Sequence, residues 1–361
     1  MHRINGTQRR GHAFRPTAVG SLAAVVVATL LAGCSSGQPL ATGVDGEPTA
    51  PPIASHSAST PSPSIPASGP SDSGPTAVLT AARTPSPSGT SARPAQASTT
   101  PRRHGLWRPR PGTTWQWQIT GTVDASVLPA AMFDVDLQDA VPSQRTITVP
   151  GFGRVHWPRG DNAGVVARLH ARGKVVICYL DSGAWENYRP DQALFTTSVL
   201  GSDTGWPGER WLDIRRSSWR RFAPLIWARL DLARSVGCDG VEPDQNNPVG
   251  NAPGFPIVLA DQTAWYLEVA RQAHARGLSV GMKNGIESIG PETVAAFDWA
   301  LNEECFQYDE CGALRPFIRA GKAVFQVEYV GSTSSFCPAA RAMRFSSMKK
   351  RLTLDAWRRT C

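Results

Sequence analysis

The sequence predicts an α/β fold: a single (β/α)8 TIM-like barrel preceded by a disordered linker. Three observations predict it. Short apolar runs that close in polar residues alternate with helical patterns through 111–361. Three helical patterns end Ala171-Arg172-Gly173, Ala275-Arg276-Gly277 and Arg319-Ala320-Gly321, a basic residue near the helix end with glycine beside it, and a strand follows each at once. The 251 residues from 111 to 361 match the ~250 typical of such a barrel. A doubly wound open sheet is the alternative, but no glycine-rich phosphate loop follows the first apolar run.

In chain order, residues 1–33 read as a lipoprotein signal peptide. Arg3, Arg9, Arg10 and Arg15 precede an apolar run, 18–32, that is too short and too soon interrupted for a spanning helix. The run ends Leu31-Ala32-Gly33-Cys34, which resembles a bacterial lipobox, where the cysteine is lipidated and becomes the mature N-terminus. An ordinary signal peptide with an accidental cysteine is the alternative. Cys34 is the expected lipidation site, and the protein is expected to be exported and lipid-anchored at the cell membrane or cell surface. Residues 34–110 read as a disordered Pro/Ser/Thr-rich tether holding fourteen of the 30 prolines. Such a segment cannot bury enough apolar area to offset its chain entropy, and its prolines keep it extended.

The folded part follows. Apolar runs fall at 115–120, 132–137, 174–180, 239–242, 279–283, 298–302, 323–329 and 345–350, eight in all. Helical patterns lie at 162–171, 219–236 and 263–275; the second places Phe222, Leu225, Ile226, Leu230 and Ala233 at helical spacing. Of the net charge of +8, the leader and tether carry all but +1. A near-neutral domain with no basic run before Lys349 argues against nucleic acid as a partner.

Besides Cys34 there are six cysteines, an even number that suggests disulfides in an exported domain. Spacing pairs Cys305 with Cys311 across a short loop, and Cys337 with Cys361 around the C-terminal segment. For Cys178, inside an apolar run, a buried thiol and a bond to Cys238 are equal alternatives. No metal site is expected: CxxC spacing is absent, and His156, His170 and His274 are scattered.

Chemistry in a barrel sits at the C-terminal strand ends. Here those ends carry Asp124, Asp136, Asp181, Glu242, Asp244, Lys283, Asn284, Glu303, Glu304 and Glu328. A lone strand-end acid is usually a cap or a solvated loop residue; the concentration on one rim is what points to function. Paired carboxylates suit glycosidic cleavage, one donating a proton and the other acting as nucleophile or base. No GxSxG, Walker loop or Cys–His pair competes. Trp115, Trp185, Trp206 and Tyr329 are candidate sugar platforms or, equally, buried packing. Lys283 is expected within salt-bridge reach of Glu242, Asp244 or Glu303, where a cation keeps one carboxylate ionised.

Two segments make the reading specific: Gly237-Cys238-Asp239-Gly240-Val241-Glu242-Pro243-Asp244 and Asn302-Glu303-Glu304-Cys305-Phe306-Gln307-Tyr308. They resemble the signatures of glycoside hydrolase family 114, the endo-α-1,4-polygalactosaminidases. So do Trp115-Gln116-Trp117-Gln118, Cys178-Tyr179-Leu180-Asp181-Ser182-Gly183-Ala184-Trp185-Glu186, Lys283-Asn284 and Val327-Glu328-Tyr329. The resemblance runs in order from about 115 to 361. Gln245 stands where the family has Asn, Gly285 where Asp is common, and Glu304 where Gln is usual; 141–161 reads as an insertion. The resemblance implies a TIM-like barrel, cleavage of α-1,4-linked galactosamine polymer and no cofactor, metal or organic.

It also carries the catalytic pair over to Asp244 and Glu303, read here as nucleophile and acid/base, with Glu303 expected to hold its proton near neutral pH. The expected substrate-binding residues are Trp115, Asp136, Tyr179, Asp181, Trp185, Glu242, Lys283, Asn284, Glu328 and Tyr329. The expected partners are an amino-sugar polysaccharide and, through the anchor, a membrane; the chain is read as a monomer. A surface glycan-binding barrel without activity, and a glycosidase of different amino-sugar specificity, are the alternatives.

Overall fold

The computed structural model describes residues 105–124, 126 and 129–361. The leader, Cys34 and the tether up to residue 104 lie outside the described residues.

The strands and helices, in chain order, are β1 Trp115–Trp117, β2 Met132–Asp136, β3 Arg145–Val149, β4 Gly153–Trp157, α1 Val165–His170, β5 Val175–Asp181, β6 Ala184–Glu186, β7 Leu200–Asp203, β8 Glu209–Leu212, α2 Ala223–Val236, β9 Gly240–Asp244, α3 Leu259–Ala275, β10 Ser279–Lys283, α4 Pro291–Ala296, β11 Trp299–Glu303, α5 Arg315–Arg319, β12 Val324–Glu328, α6 Thr333–Ala342, β13 Ser346–Lys349 and β14 Arg359–Thr360. All eight apolar runs form strands. They lie side by side in the order β1-β2-β5-β9-β10-β11-β12-β13, every pair parallel, and antiparallel β14 follows β13. Strand neighbours in sequence order, with helices between, make the curled sheet of a barrel.

Period-2 alternation splits the apolar residues into two sets. Phe133, Val135, Val176, Cys178, Val241, Val280, Met282 and Ala300 face the helices and share one core with α1, α2 and α3. Trp115, Trp117, Met132, Ile177, Trp299, Leu301, Phe325, Val327 and Met348 fill the inside. Such large rings fit because small residues face them. A Cβ on Gly281 would stand 2.2 Å from the Trp299 ring, closer than any carbon can come.

The barrel is not closed by a strand ladder. Among the described residues, β1 and β13 share no pairing; the C-terminal segment bridges them. Ala356 O accepts from the Gln116 amide (2.9 Å) and Leu354 O from the backbone N–H of Ile119 (3.1 Å), while the Trp115 indole N–H donates directly to Ser346 O at the start of β13 (2.8 Å). The Cys337–Cys361 disulfide ties the end of that segment to α6. Cys305–Cys311 also forms as spacing predicted, and Cys178 bonds Cys238, which decides the open alternative.

Two segments outside the barrel strands are ordered. Within 141–161, read as an insertion, β3 and β4 form a hairpin. In the segment after β5, β6, β8 and β7 form a small antiparallel sheet. Buried ion pairs hold it down: Arg229 reaches Asp191 and Glu186 (2.8 Å each), and Arg189 reaches Glu186 (2.6 Å) and Asp136 (2.8 Å).

Candidate active site

The C-terminal ends of β9, β10 and β11 converge on one ammonium. Lys283 Nζ lies 2.7 Å from Glu242 Oε1, 3.1 Å from Asp244 Oδ2 and 3.3 Å from Glu303 Oε2, and its side chain is fully buried. The expectation of one carboxylate in reach is met three times. Glu242 and Asp244 are two apart on β9 and so point the same way, into the barrel. The Trp117 ring lies 4.5 Å from the ammonium and that of Tyr179 5.9 Å away, close enough to stabilise the cation through their faces.

Each strand end is followed by a residue in the left-handed region: Gln245 (φ 59°), Asn284 (φ 49°) and Glu304 (φ 64°). L-residues adopt this backbone at a cost of about 1–2 kcal/mol, and such strain gathers at functional sites. The turn leaves the preceding carboxylate or ammonium at the rim and starts the chain outward. Asn284 uses it to clamp Glu303: its Nδ2 donates to Glu303 Oε2 and its Oδ1 accepts from the Glu303 backbone N–H, both at 2.9 Å. Gly285 continues the turn at φ 58°, and a Cβ there would meet the Tyr266 hydroxyl at 2.2 Å. That hydroxyl donates to Lys283 O (2.7 Å), so glycine makes room for a tether on the lysine's own backbone.

The electrostatics divide the carboxylates. Burial pushes Asp244 up, but the Lys283 ammonium and the Gln245 N–H overcome it and hold the carboxyl well below its usual range. Glu303 follows the same logic: burial raises it, while Lys283 and the Tyr329 hydroxyl, which donates to Oε1, bring it down. The expectation that Glu303 holds its proton near neutral pH is therefore corrected for the substrate-free site. The group that burial raises, to about 7, is Glu242.

A cleft of about 520 Å³ opens beside Glu303, lined by Asn247, Asn284, Asn302, Glu304, Tyr308 and Glu310 among others; among the described residues no lysine or arginine stands on its walls. Asn302 Oδ1, buried, has no hydrogen-bond donor among the described residues. The Cys305–Cys311 disulfide closes the loop that carries Tyr308 and Glu310, directly after Glu304.

Tyr179, Lys283, Asn284, Tyr329, Asp244 and Glu303 all come together here, with Asp181 beside Asp244 in register. Four predicted substrate contacts do not. Trp115 begins β1, at the far end of the barrel from the rim, and is buried against Trp117 and Phe325. Asp136 is held by both terminal nitrogens of Arg189 (3.0 and 2.8 Å). Trp185 gives its indole N–H to Gln192 O and packs on the helix-side core. Glu328 accepts from Phe306 N–H (3.0 Å) and Gln326 (2.6 Å), fastening the loop behind Glu303. Glu242 does join the cluster, 2.7 Å from Lys283 Nζ, but is fully buried there.

Asp136 is taken by a partner 53 residues away and Glu328 by one 22 away, whereas Trp185 is taken by one only seven away. Sequence reasoning missed Asp134, wholly buried on β2 and in hydrogen-bond contact with Glu242. The signal was available: Asp134 shares the inward face of β2 with Asp136.

One carboxylate of Asp181, Glu186 and Glu209 each approaches the others within 4.8 Å, the spacing of a metal site. Two of the three are otherwise engaged: Glu186 has one oxygen on Arg189 and the other on Arg229, and Glu209 accepts from Tyr188 and Thr204. Neither oxygen of Asp181 has a hydrogen-bond partner among the described residues.

A parallel barrel whose rim gathers carboxylates around a buried lysine has the layout of a barrel glycosidase. The chain belongs to glycoside-hydrolase family GH114, whose family model matches residues 96–361. It is similar to Aspergillus fumigatus Ega3, solved in complex with galactosamine: 33% identity over 72% of this chain and 98% of that one, TM-score 0.61. The glycoside hydrolase domain of PelA from Pseudomonas aeruginosa shares the fold, at 13% identity over 68% of this chain and 97% of that one, TM-score 0.50. An uncharacterized protein of Deinococcus radiodurans is 26% identical over 212 residues, 53% of this chain and 66% of that protein's length.

Proposed function

We propose that the protein is an exported, lipid-anchored glycoside hydrolase that cleaves α-1,4-linked galactosamine polymer by double displacement. Asp244 is the nucleophile: Lys283 keeps it ionised and aligned without neutralising both of its oxygens. Glu303 is the acid/base: it protonates the leaving oxygen and later draws the proton from water. The observation that carries this reading is the three-way grip of Lys283. Through Nζ, Asp244 Oδ2 and Glu303 Oε2 are at most about 6.4 Å apart, the two legs of 3.1 and 3.3 Å laid end to end. Retaining glycosidases place their carboxyls ~5–5.5 Å apart and inverting ones ~6.5–9.5 Å, leaving room for water. The short span supports retention.

The substrate class rests on charge and on likeness. Free galactosamine units are cations at neutral pH, and the cleft presents Glu287, Glu304 and Glu310 with no opposing base. Ega3, solved with galactosamine, is the similar protein. The purified protein incubated with acetylated and deacetylated amino-sugar polymers, read by mass spectrometry, tests the reading: new oligosaccharides are expected from the galactosamine polymer. Product that first appears as the β-anomer by NMR would refute retention. Binding of the polymer without cleavage would leave a glycan-binding barrel instead.

A further inference from the structure

Behind the site, the barrel interior holds four carboxyls, Asp134, Glu242, Asp244 and Glu303, around one ammonium. Asp134 and Glu242 are both 0% exposed. Lys283 binds Glu242 through Oε1. Among the described residues, no N–H or other hydroxyl donates to Glu242 Oε2 or to either oxygen of Asp134. Yet the two side chains are in hydrogen-bond contact with each other. Two ionised carboxylates cannot hydrogen-bond, and an orphaned buried charge is among the costliest groups in a protein.

We propose that Asp134 stays protonated and donates its proton to Glu242, so that this pair behind Lys283 sets how much of the ammonium's charge Asp244 and Glu303 receive. This rests on the catalytic reading above. Asp134 touches neither substrate nor reacting atoms; it is a positioning residue acting through Glu242 and Lys283. The donated hydrogen bond stabilises Glu242 as an anion beside Lys283. A Glu242 anion takes up part of the ammonium's field, and Glu303 can then regain a proton for catalysis.

The other groups facing the pair are few. Trp117 on β1 is uncharged, Tyr179 on β5 keeps its proton because burial raises it, and Asp244 on β9 repels a further negative charge. Burial and the charge of Glu242 both favour the neutral form of Asp134, as the proposal requires.

Two variants separate the outcomes. In Asp134→Asn the amide still donates to Glu242 but carries no ionisable proton. In Asp134→Ala the donor is lost, Glu242 takes a proton more readily, and Lys283 turns its whole charge on Asp244 and Glu303. The expected result for Asp134→Ala is a kcat at least ~10-fold lower with little change in KM, and an alkaline limb of the pH profile shifted down by about half a unit or more. Asp134→Asn is expected to restore the wild-type limb. A folded Asp134→Ala enzyme with the wild-type limb, or Asp134→Asn shifted equally, overturns the proposal.

A second measurement needs no activity. In protein labelled with ¹³C at the aspartate carboxyl carbon, the signal missing from Asp134→Asn belongs to Asp134. It is expected to keep the shift of a neutral acid through the pH at which ordinary aspartate ionises, about 3.9, and on to neutral pH. A signal that titrates in the ordinary range overturns the proposal, whether or not the protein cuts galactosamine polymer.

Discussion

At the residue scale the site is a competition for one cation. Lys283 is buried with three carboxylates in contact, so losing one of them does not strand the charge, although breaking an isolated buried pair typically costs about 3–5 kcal/mol. Asp244→Asn and Glu303→Gln are therefore expected to fold, as circular dichroism can verify. Each should lower polymer cleavage at least ~10²-fold, the low end for acid/base catalysis. A folded Asp244→Asn enzyme cutting at the wild-type rate would end the assignment of the nucleophile.

The same electrostatics give a pH dependence. Asp244 must be ionised and Glu303 protonated for the first step. Lys283 lowers both, and Asp244 the further of the two. Activity should fall as pH rises through the Glu303 value, which lies below the ordinary glutamate range, so the optimum is expected on the acid side. A kcat/KM profile still rising above about pH 6, beyond the ordinary carboxyl range, would contradict this assignment of the acid.

At the element scale, three neighbouring strands end alike: a site residue, then a left-handed turn. Of the three turn residues, Gln245 is the poorest fit. Its side chain is buried, and among the described residues neither its amide nitrogen nor its amide oxygen has a hydrogen-bond partner. Asparagine adopts this backbone more readily. Gln245→Asn, which restores the family's usual residue, is expected to stabilise the protein by about 0.5–1 kcal/mol, read as a higher midpoint of urea unfolding. An unchanged or lower midpoint would show that packing of the longer side chain outweighs strain.

Strand ends were legible in sequence because apolar runs stop where polar side chains meet the rim. The small sheet β6-β8-β7 was not. Its strands are three or four residues long, and the Arg189 and Arg229 ion pairs that hold it join residues up to 53 apart.

At the scale of the whole molecule, the proposal of an enzyme held off a membrane rests on the sequence before the barrel, and it can be tested there. If Leu31-Ala32-Gly33-Cys34 is a lipobox, Cys34→Ala should move the protein from the membrane to the soluble fraction or block its processing, as fractionation and an intact-mass measurement will show. A cleaved product still retained on the membrane would count against lipidation.

The sequence by itself determined the eight parallel strands, the acidic rim, the spacing of two disulfides and the membership signalled by the Asp244 and Glu303 segments. These are local matters: period-2 alternation, glycine at helix ends, and short motifs. Only the tertiary structure decided which acids reach Lys283, that Trp115 is floor rather than platform, that Asp136 belongs to Arg189, and that Asp134 stands behind Glu242. Those outcomes depend on which residues distant in sequence share a small, poorly solvated space. There a carboxyl's role is set by the charges it faces, which no single strand contains.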